Sequence, residues 1–414
     1  MNKYLVINGG SSSLKFSLYE NNEEGYNEIV SGVIERIGQE KGAFVLKCEN
    51  KIIKDVIVKN HTEAVNIMLD TLLERKYLNS IDDIKGIGHR VLHGGEYYSD
   101  SVIIDEESLK NIKSLIPFGP LHLPGEISVI ESMLEILPNV QNVAVFDTAF
   151  HQTISLEKIL YGVPLNWYKK YGIRKYGFHG TSHKYITEAL QEKLGKKDVN
   201  IINCHLGNGS SICAIKNGKS FDTTMGFTPL DGVIMGTRSG SIDASIVKYM
   251  CDSENISVGE CFEILNKQSG LYGLSEVSSD VRDILAARSN GNKKAAIALE
   301  KLEEDIKKYI GQYFFELDGK IDAIVFTAGI GENVPSIRKS IIDKISKIDV
   351  LGIKLDNELN EIIKNGKTGK ITTNDSKTDF YVIPTNEEYM ILKDTIRLSN
   401  EYNLNSKKLL KVKK

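Results

Sequence analysis

The sequence has no long apolar run, and charge of one sign does not predominate. No stretch of the 414 residues approaches the roughly 18 consecutive apolar residues of a membrane-spanning helix. The apolar run Tyr4-Leu5-Val6-Ile7 gives way to Asn8 and two glycines, too early for a secretory signal peptide. Lys+Arg number 52 and Asp+Glu 55, a net charge of -3, so neither nucleic acid nor an anionic membrane is indicated as a partner. We therefore expect a cytoplasmic protein.

Cysteine is also scarce. No two cysteines have the short spacing of a zinc site or a redox motif, so we expect reduced and mostly buried thiols. The cysteines are Cys48, Cys204, Cys213, Cys251 and Cys261.

The common nucleotide-binding signatures are missing as well. Gly218-Lys219-Ser220 has the end of a P-loop, but Cys213 stands where the first glycine is required. No G-x-G-x-x-G motif follows a strand and opens a helix, so a dinucleotide-binding fold is unsupported.

Two sequence patterns each occur twice in the chain, and we call each such pair an internal echo. Its length suits two domains of about 150–200 residues. A strand–turn–strand pattern with Gly10-Ser11-Ser12 at the turn recurs with Gly209-Ser210-Ser211. The apolar strand in Val143–Ala149 resembles that in Ala323–Gly329, each ending in small residues. These echoes predict a duplicated α/β domain, and helical spacing predicts a helix over Lys293–Leu317.

Glycine-rich turns are the first candidate sites. Such turns direct backbone N–H groups at one point, which suits phosphate oxygens. Asn8-Gly9-Gly10-Ser11-Ser12-Ser13 adds hydroxyl donors and is followed by Lys15, and Gly207-Asn208-Gly209 is its counterpart. Facing loops of this kind could clamp a polyphosphate between two domains.

Charged residues lie in similar glycine-rich surroundings. Arg90, within Gly86–Gly95, suits bidentate binding of a carboxylate, with a structural ion pair as the alternative. Arg238 lies on the loop Gly236–Gly240. Glu387 and Glu388 follow a strand, and one of them could reach a magnesium ion.

One histidine segment precedes a predicted helix. His179 lies in Gly177-Phe178-His179-Gly180-Thr181-Ser182-His183, where Thr181 or Ser182 is expected to cap the helix. His179 is either a catalytic group or a surface or capping residue.

Together these segments resemble the acetate kinase family, in order and across nearly the whole chain. The family belongs to the acetate and sugar kinase, heat-shock chaperone and actin superfamily. The resemblance implies an α/β fold of two duplicated actin-like (ribonuclease H-like) domains with the ATP site in the cleft between them. It implies a first domain over 1–150, completed by 386–414, and a second over 151–385. The segments, besides those above, are Gly88-His89-Arg90, Val145-Phe146-Asp147-Thr148-Ala149-Phe150-His151, His205-Leu206-Gly207-Asn208-Gly209, Met235-Gly236-Thr237-Arg238, Ala328-Gly329-Ile330-Gly331-Glu332-Asn333 and Thr385-Asn386-Glu387-Glu388.

The resemblance also implies a reaction, the transfer of the γ-phosphoryl group of ATP to acetate with Mg²⁺, and a homodimer whose substrates are small molecules. It further implies roles for individual residues. Asn8 and Glu387 match metal positions, Arg90 the carboxylate-binding residue, and His179 and Arg238 the transition-state stabilisers. Leu92, Leu121, Phe178 and Pro229 match the acyl pocket. The ATP/ADP-binding positions are Ser11, Ser13, Lys15, His205, Leu206, Gly207, Asn208, Gly209, Asp280, Val281, Arg282, Gly329, Ile330, Gly331, Glu332 and Asn333.

Asp147 matches the family's catalytic acid/base. Acetate is already ionised at pH 7 because its pKa is about 4 to 5, so a general base has little to remove. We therefore expect Asp147 mainly to position magnesium, water or Arg90. Leu92 stands where acetate-using members typically carry valine, and its extra methylene predicts that acetate is preferred over propionate.

Two segments depart from the family pattern. After His122 the family usually continues Asn-Pro, whereas this chain has Leu123-Pro124-Gly125-Glu126. After Arg238 the family favours Gly-Asp-Ile-Asp-Pro, whereas Gly240-Ser241-Ile242-Asp243-Ala244 stands here. The alternatives are a propionate or other short-chain carboxylate kinase, an actin-like or chaperone-like ATPase, and a catalytically silent relative.

Overall fold

The computed structural model describes residues 2–22, 25–47 and 52–412, with side chains up to residue 402. The chain forms two compact units, Met1–Ala149 with Asn386–Lys414, and Phe150–Thr385. Cys48 lies outside the described residues, and the other cysteines are free thiols, of which all but Cys251 are buried. For these four residues the expectation of mostly buried thiols is confirmed.

Strands form one sheet in each unit. The strands are β1 Lys3–Gly9, β2 Ser13–Asn22, β3 Gly25–Glu35, β4 Gly42–Lys47, β5 Ile52–Val56, β6 Ile84–Val91, β7 Val102–Ile103, β8 Gln141–Phe146, β9 Ile201–Leu206, β10 Ser210–Lys216, β11 Lys219–Thr223, β12 Ala323–Thr327, β13 Gly369–Lys370 and β14 Phe380–Val382.

Helices pack on these sheets. The helices are α1 His61–Glu74, α2 Glu106–Ser114, α3 Leu123–Ile136, α4 Leu156–Ile159, α5 Leu165–Tyr171, α6 Gly180–Leu194, α7 Ser245–Glu254, α8 Val258–Lys267, α9 Gly270–Ser275, α10 Val281–Ser289, α11 Lys293–Glu316, α12 Ala328–Asn333, α13 Pro335–Ile345, α14 Asn357–Ile362 and α15 Glu387–Val412. Among the described residues, no helix is long and apolar enough to cross a membrane.

The two sheets share one strand order. They run β5-β4-β3-β2-β1-β6-β8-β7 and β11-β10-β9-β12-β14-β13. In each, three consecutive antiparallel strands (β1 to β3, β9 to β11) are extended by two parallel ones (β6 and β8, β12 and β14). This repeated order confirms the predicted α/β duplication.

One of the two echoes matches equivalent elements and the other does not. The turn between β1 and β2 corresponds to the turn between β9 and β10. The second echo instead relates β8, the fifth strand counted from β3, to β12, the fourth strand counted from β11. Parallel strands buried on both faces are all continuously apolar, so such strands look alike without being equivalent.

Apolar periodicity explains the longest helix of the second unit. In α11, residues such as Ala295, Leu299, Leu302 and Ile306 recur at helical spacing and are buried in the core beside the sheet. Asn292 caps the helix by accepting a hydrogen bond from the N–H of Ala295. The predicted helix over Lys293–Leu317 is confirmed, ending one residue earlier.

Candidate active site

The first unit gathers three polar residues at the carboxyl ends of neighbouring parallel strands. Asn8 lies at the end of β1 and Arg90 at the end of β6. Asp147 directly follows β8, and its N–H donates to the carbonyl of Val91 at 3.0 Å. Ligands of open α/β sheets bind at this edge, so strand order alone brings these residues together.

Arg90 and Asp147 form a two-pronged ion pair. Nε of Arg90 donates to Oδ1 of Asp147 at 3.1 Å, and Nη2 donates to Oδ2 at 2.5 Å. The Asp147 side chain is 2% exposed and that of Arg90 23% exposed. The carboxylate raises the pKa of Arg90, so the guanidinium stays charged. Asp147 therefore fixes the orientation of a cation that is still accessible to a ligand.

Glu387, the first residue of α15, belongs to the same site. It lines a cavity of about 400 Å³ together with Asn8, Lys15 and Arg90. Desolvation raises the pKa of Glu387 to about 7, and the positive charge of Arg90 opposes this shift. The Glu387 residue is half-buried, so a ligand can still reach it. The structure thus brings together the two predicted metal positions, one ATP position and the predicted carboxylate-binding residue.

The predicted acyl residues of this unit occupy different environments. Leu92 is 4% exposed and Leu121 is 44% exposed. The backbone N–H of Leu92 donates at 2.9 Å to Oε2 of Glu126, a carboxyl group that is 3% exposed. Glu126 lies in the segment that departs from the family pattern, and sequence reasoning assigned it no role.

The same segment approaches the first glycine-rich turn. A Cβ atom on Gly125 would lie 2.5 Å from the carbonyl oxygen of Gly10, so only glycine allows this approach. Ser11 and Leu121 line a cavity of about 270 Å³ beside Gly125. Ser13 instead closes the turn, because its carbonyl accepts the N–H of Gly10 at 2.7 Å.

The second unit contains a larger cavity. Its volume of about 730 Å³ lies within the range of small-molecule sites. Three predicted nucleotide-binding segments meet there, with Ser279, Val334 and Asn365 as lining residues that the sequence did not indicate. The predicted residues in its wall are Gly207, Asn208, Asp280, Val281, Arg282, Gly329, Ile330 and Asn333.

Glu332 and Arg338 hold the wall of this cavity in place. Oε1 of Glu332 accepts the N–H of Ala328 at 2.7 Å and the N–H of Thr385 at 3.1 Å. Nη1 of Arg338, which is fully buried, donates to the carbonyls of Gly331 at 2.9 Å and Glu332 at 2.7 Å. Glu332 was predicted to bind nucleotide, and in the structure its carboxylate accepts hydrogen bonds from the backbone at Ala328 and Thr385. Gly331, another predicted nucleotide-binding residue, is buried within α12.

His179 and Arg238 converge on Gly209. A Cβ atom on Gly209 would lie 3.4 Å from Nε2 of His179 and 3.6 Å from Nη1 of Arg238. Nη1 of Arg238 also donates to the carbonyl of Pro229 at 3.0 Å. These cationic or donor groups therefore surround one glycine of the second glycine-rich turn, as expected of a site for phosphoryl oxygens.

His179 is held by a network of hydroxyl and imidazole groups. Its backbone is left-handed, with φ of 57°. Oγ of Ser211 lies 2.9 Å from Nδ1 of His179 and 2.8 Å from Nε2 of His183. Burial lowers the pKa of His183 far below its usual value, so this ring is neutral. With Nδ1 engaged by Ser211, Nε2 is the nitrogen of His179 that faces Gly209.

The expected capping of α6 is wrong. The helix begins at Gly180 with His179 at its N-cap and has no side-chain cap. Oγ of Ser182 is instead 2.8 Å from Nδ1 of His205 and 2.7 Å from Oγ1 of Thr385. The ring of His205 stacks on that of His179, with centroids 4.1 Å apart. His205 therefore supports His179 in this structure.

The other predicted residues of this unit act as supports. Leu206 is 1% exposed and Phe178 is 1% exposed, so both lie within the core. The carbonyl of Phe178 is 3.0 Å from Nε2 of His151, a buried histidine whose pKa burial lowers to about 4. Pro229 is half-buried and contacts Arg238 through its carbonyl.

The duplicated α/β units contain an ion-paired arginine in a cavity of the first unit and a cavity of about 730 Å³ in the second. Comparison with known proteins assigns the chain to the carboxyl-group phosphotransferases. The sequence model of the Acetokinase family matches residues 3–393. The acetate kinase of Chlorante-Aster yellows phytoplasma is 49% identical over 397 residues, covering 96% of this chain and 95% of that protein.

Solved structures agree with this match. The acetate kinase of Porphyromonas gingivalis superposes with a TM-score of 0.90 at 38% identity, covering 96% of this chain and 100% of that one. A propionate kinase from Francisella tularensis gives 0.90 at 42% identity, with the same coverage. The chain belongs to the acetokinase family, whose members use ATP and ADP with small-molecule substrates.

Proposed function

We propose that the chain is an acetate kinase that reversibly transfers the γ-phosphoryl group of ATP directly to acetate, giving acetyl phosphate and ADP. The observation that carries the proposal is the Arg90–Asp147 pair, which presents an oriented guanidinium in a cavity shared with Asn8, Lys15 and Glu387. Nucleotide hydrolysis alone has no need of such a carboxylate-binding group.

Asn8 and Glu387 are proposed to hold a magnesium ion. Among the described residues, no three His, Cys, Asp or Glu side chains cluster as a metal site. An amide oxygen and a carboxylate fit Mg²⁺, which usually takes one or two carboxylates and completes its shell with water and substrate phosphates. When bound, the ion would offset negative charge on the phosphate oxygens.

Arg90 is proposed to bind the substrate carboxylate, and Asp147 to hold Arg90. Both oxygens of Asp147 already accept hydrogen bonds from the guanidinium. Since acetate arrives ionised, no proton has to be removed before attack on the γ-phosphorus atom. The acid/base role that the family resemblance implies for Asp147 is therefore replaced in our proposal by a positioning role.

His179 and Arg238 are proposed to stabilise the phosphoryl group in transfer. In-line transfer spreads negative charge over the equatorial oxygens, and fixed donors stabilise that charge better than mobile water does. Nε2 of His179 and Nη1 of Arg238 both face Gly209. The cavity lined by Asp280, Gly329 and Ile330 is proposed to take the ATP or ADP.

Acetate is proposed to be preferred over propionate. Leu92 is buried, so its side chain leaves less space than the valine typical of acetate-using members. One methylene of difference is worth about 10–200-fold in kcat/KM. The alternative, a kinase that prefers propionate, is supported by the 42% identity to the propionate kinase from Francisella tularensis. A kcat/KM for propionate equal to that for acetate contradicts this preference.

The test is an assay with MgATP and hydroxylamine, which traps acyl phosphates from acetate, propionate, butyrate and formate in parallel. We expect the strongest signal with acetate and its near loss in Arg90→Ala. The alternatives predict other results: ADP formation independent of any acid indicates an ATPase, and ATP binding without turnover indicates a silent relative.

The cytoplasmic location and the homodimer are also proposed on the family resemblance. Light scattering during size-exclusion chromatography measures the mass directly. A single peak at the mass of one chain, 46.2 kDa, contradicts the homodimer.

A further inference from the structure

Three buried polar residues lie between the second sheet and the start of α6. Asn203 lies on β9 and Ser211 on β10, and their side chains share a face of the sheet because Ser211 pairs with His205, two residues from Asn203. His183, in the first turn of α6, lies within hydrogen-bond distance of both. All three side chains are fully buried. We call Asn203, His183 and Ser211 the buried network, and the proposed function uses none of them.

The hydrogen atoms available in the buried network fix the direction of each hydrogen bond. The amide nitrogen of Asn203 lies 2.8 Å from Nδ1 of His183. An amide nitrogen can only donate, so Nδ1 of His183 accepts and carries no proton. The ring is then neutral with its proton on Nε2, which donates to Oγ of Ser211 at 2.8 Å.

The same reasoning extends to His179. Oγ of Ser211 has a single hydrogen atom, which it donates to Nδ1 of His179 at 2.9 Å. Nδ1 of His179 therefore accepts, and the proton of this ring is on Nε2. Nε2 is the atom that would lie 3.4 Å from a Cβ at Gly209. An N–H group, rather than a bare nitrogen, thus faces the proposed phosphoryl site.

We propose that the buried network fixes the tautomer of His179 with its proton on Nε2, so that this ring donates to the phosphoryl oxygens during transfer. Its members are positioning residues, since they act only through His179. The inference rests on the proposed function, which assigns the phosphoryl group to the space beside Gly209.

The opposite order of donors gives the opposite tautomer. If the amide oxygen of Asn203 accepted a proton from Nδ1 of His183, Nε2 of His183 would accept from Ser211. Oγ of Ser211 could then only accept from His179, whose proton would be on Nδ1. The lone pair of Nε2 would face the phosphoryl oxygens and repel them. The two orders therefore differ in which ring nitrogen of His179 is protonated.

A two-bond proton–nitrogen NMR correlation spectrum of the protein with isotopically labelled histidine nitrogens measures this directly. The spectrum distinguishes a protonated ring nitrogen from a bare one, and spectra of His179→Gln and His183→Gln assign the two rings. At the pH of the activity assay, we expect both rings to be protonated on Nε2 alone. A proton on Nδ1 of His179 in the wild type overturns the inference.

Ser211→Ala removes the last member of the buried network, and Ser220→Ala is its matched control. Oγ of Ser220, also buried, lies 2.7 Å from Nδ1 of His151 in the same unit, so the control removes a similar contact between a hydroxyl group and an imidazole. We expect Ser211→Ala to lower kcat about tenfold or more with little change in the KM for ATP, because the donor is no longer fixed. Ser220→Ala should keep kcat close to that of the wild type.

The spectrum of Ser211→Ala gives a second readout. Partial protonation of Nδ1 should move the two nitrogen signals of His179 towards each other. An unchanged kcat or unchanged His179 signals in Ser211→Ala, or an equal loss of kcat in both serine variants, overturns the inference. If Ser211→Ala does not fold, the wild-type spectrum decides alone. The spectrum requires no turnover, so absence of acyl phosphate formation in the wild type overturns the proposed function separately.

Discussion

Replacing Glu126 by glutamine should stabilise the first unit in a pH-dependent way. The pKa of Glu126 is about 7 in the folded chain, against an ordinary value of 4.5. A raised carboxyl pKa means that the folded state binds the proton more tightly than the unfolded state does. The resulting stability is fully present below about pH 4.5 and is lost as the pH rises through 7.

The magnitude follows from those two pKa values. Each pH unit between them is worth about 1.4 kcal/mol, so ionised Glu126 costs the folded state roughly 3 kcal/mol by pH 8. Glutamine removes this cost and retains the acceptor for the N–H of Leu92. We expect the variant to lie within about 1 kcal/mol of wild type at pH 5 and to exceed its free energy of unfolding by roughly 3 kcal/mol at pH 8.

The assay must report on the first unit. The single tryptophan, Trp167, belongs to the second unit, so its fluorescence is unsuitable. Hydrogen exchange of the β6 and β8 amides, corrected for intrinsic rates at each pH, gives the opening free energy of the strands beside Glu126. A difference between variant and wild type that is the same at pH 5 and pH 8 refutes the reasoning.

Three further substitutions test other parts of the site. Gly209→Ala should lower kcat at least tenfold with little change in Tm. Its Cβ would lie 3.4 Å from Nε2 of His179, an ordinary contact for the fold, but would occupy the space proposed for the phosphoryl oxygens. An unchanged kcat contradicts a phosphoryl site beside Gly209. Arg338→Met should destabilise the second unit by about 2–4 kcal/mol in denaturant titrations, because the buried carbonyls of Gly331 and Glu332 lose their hydrogen-bond donor. The same loss should raise the KM for ATP. An unchanged KM for ATP contradicts the role of Arg338 in holding the cavity wall. Leu92→Val should raise kcat/KM for propionate relative to acetate by about tenfold or more; an unchanged ratio removes Leu92 from the acyl pocket.

The sequence predicted most of the architecture because hydrophobic patterns report directly on buried strands and helices. The turns beside Gly10 and Gly209 and the length of α11 were predicted from local residues alone. The second echo did not relate equivalent strands. β8 and β12 are alike in composition, and only their positions in the strand order show that they are not equivalent.

Residue roles that depend on long-range contacts could not be predicted in the same way. Arg90 and Asp147 were each indicated, but their pairing joins residues 57 apart in the chain. Ser211 was noted only as part of the repeated Gly-Ser-Ser turn, yet its hydroxyl lies between His179 and His183. Glu126 and Arg338 carry no motif at all, and only their burial and partners reveal their roles.

The most direct test of the central claim is a phosphorus NMR spectrum of the purified protein with MgATP and acetate. The proposed function predicts acetyl phosphate and ADP in equal amounts, with little inorganic phosphate and no ADP when acetate is omitted. ADP accompanied by inorganic phosphate, at the same rate with and without acetate, would contradict it.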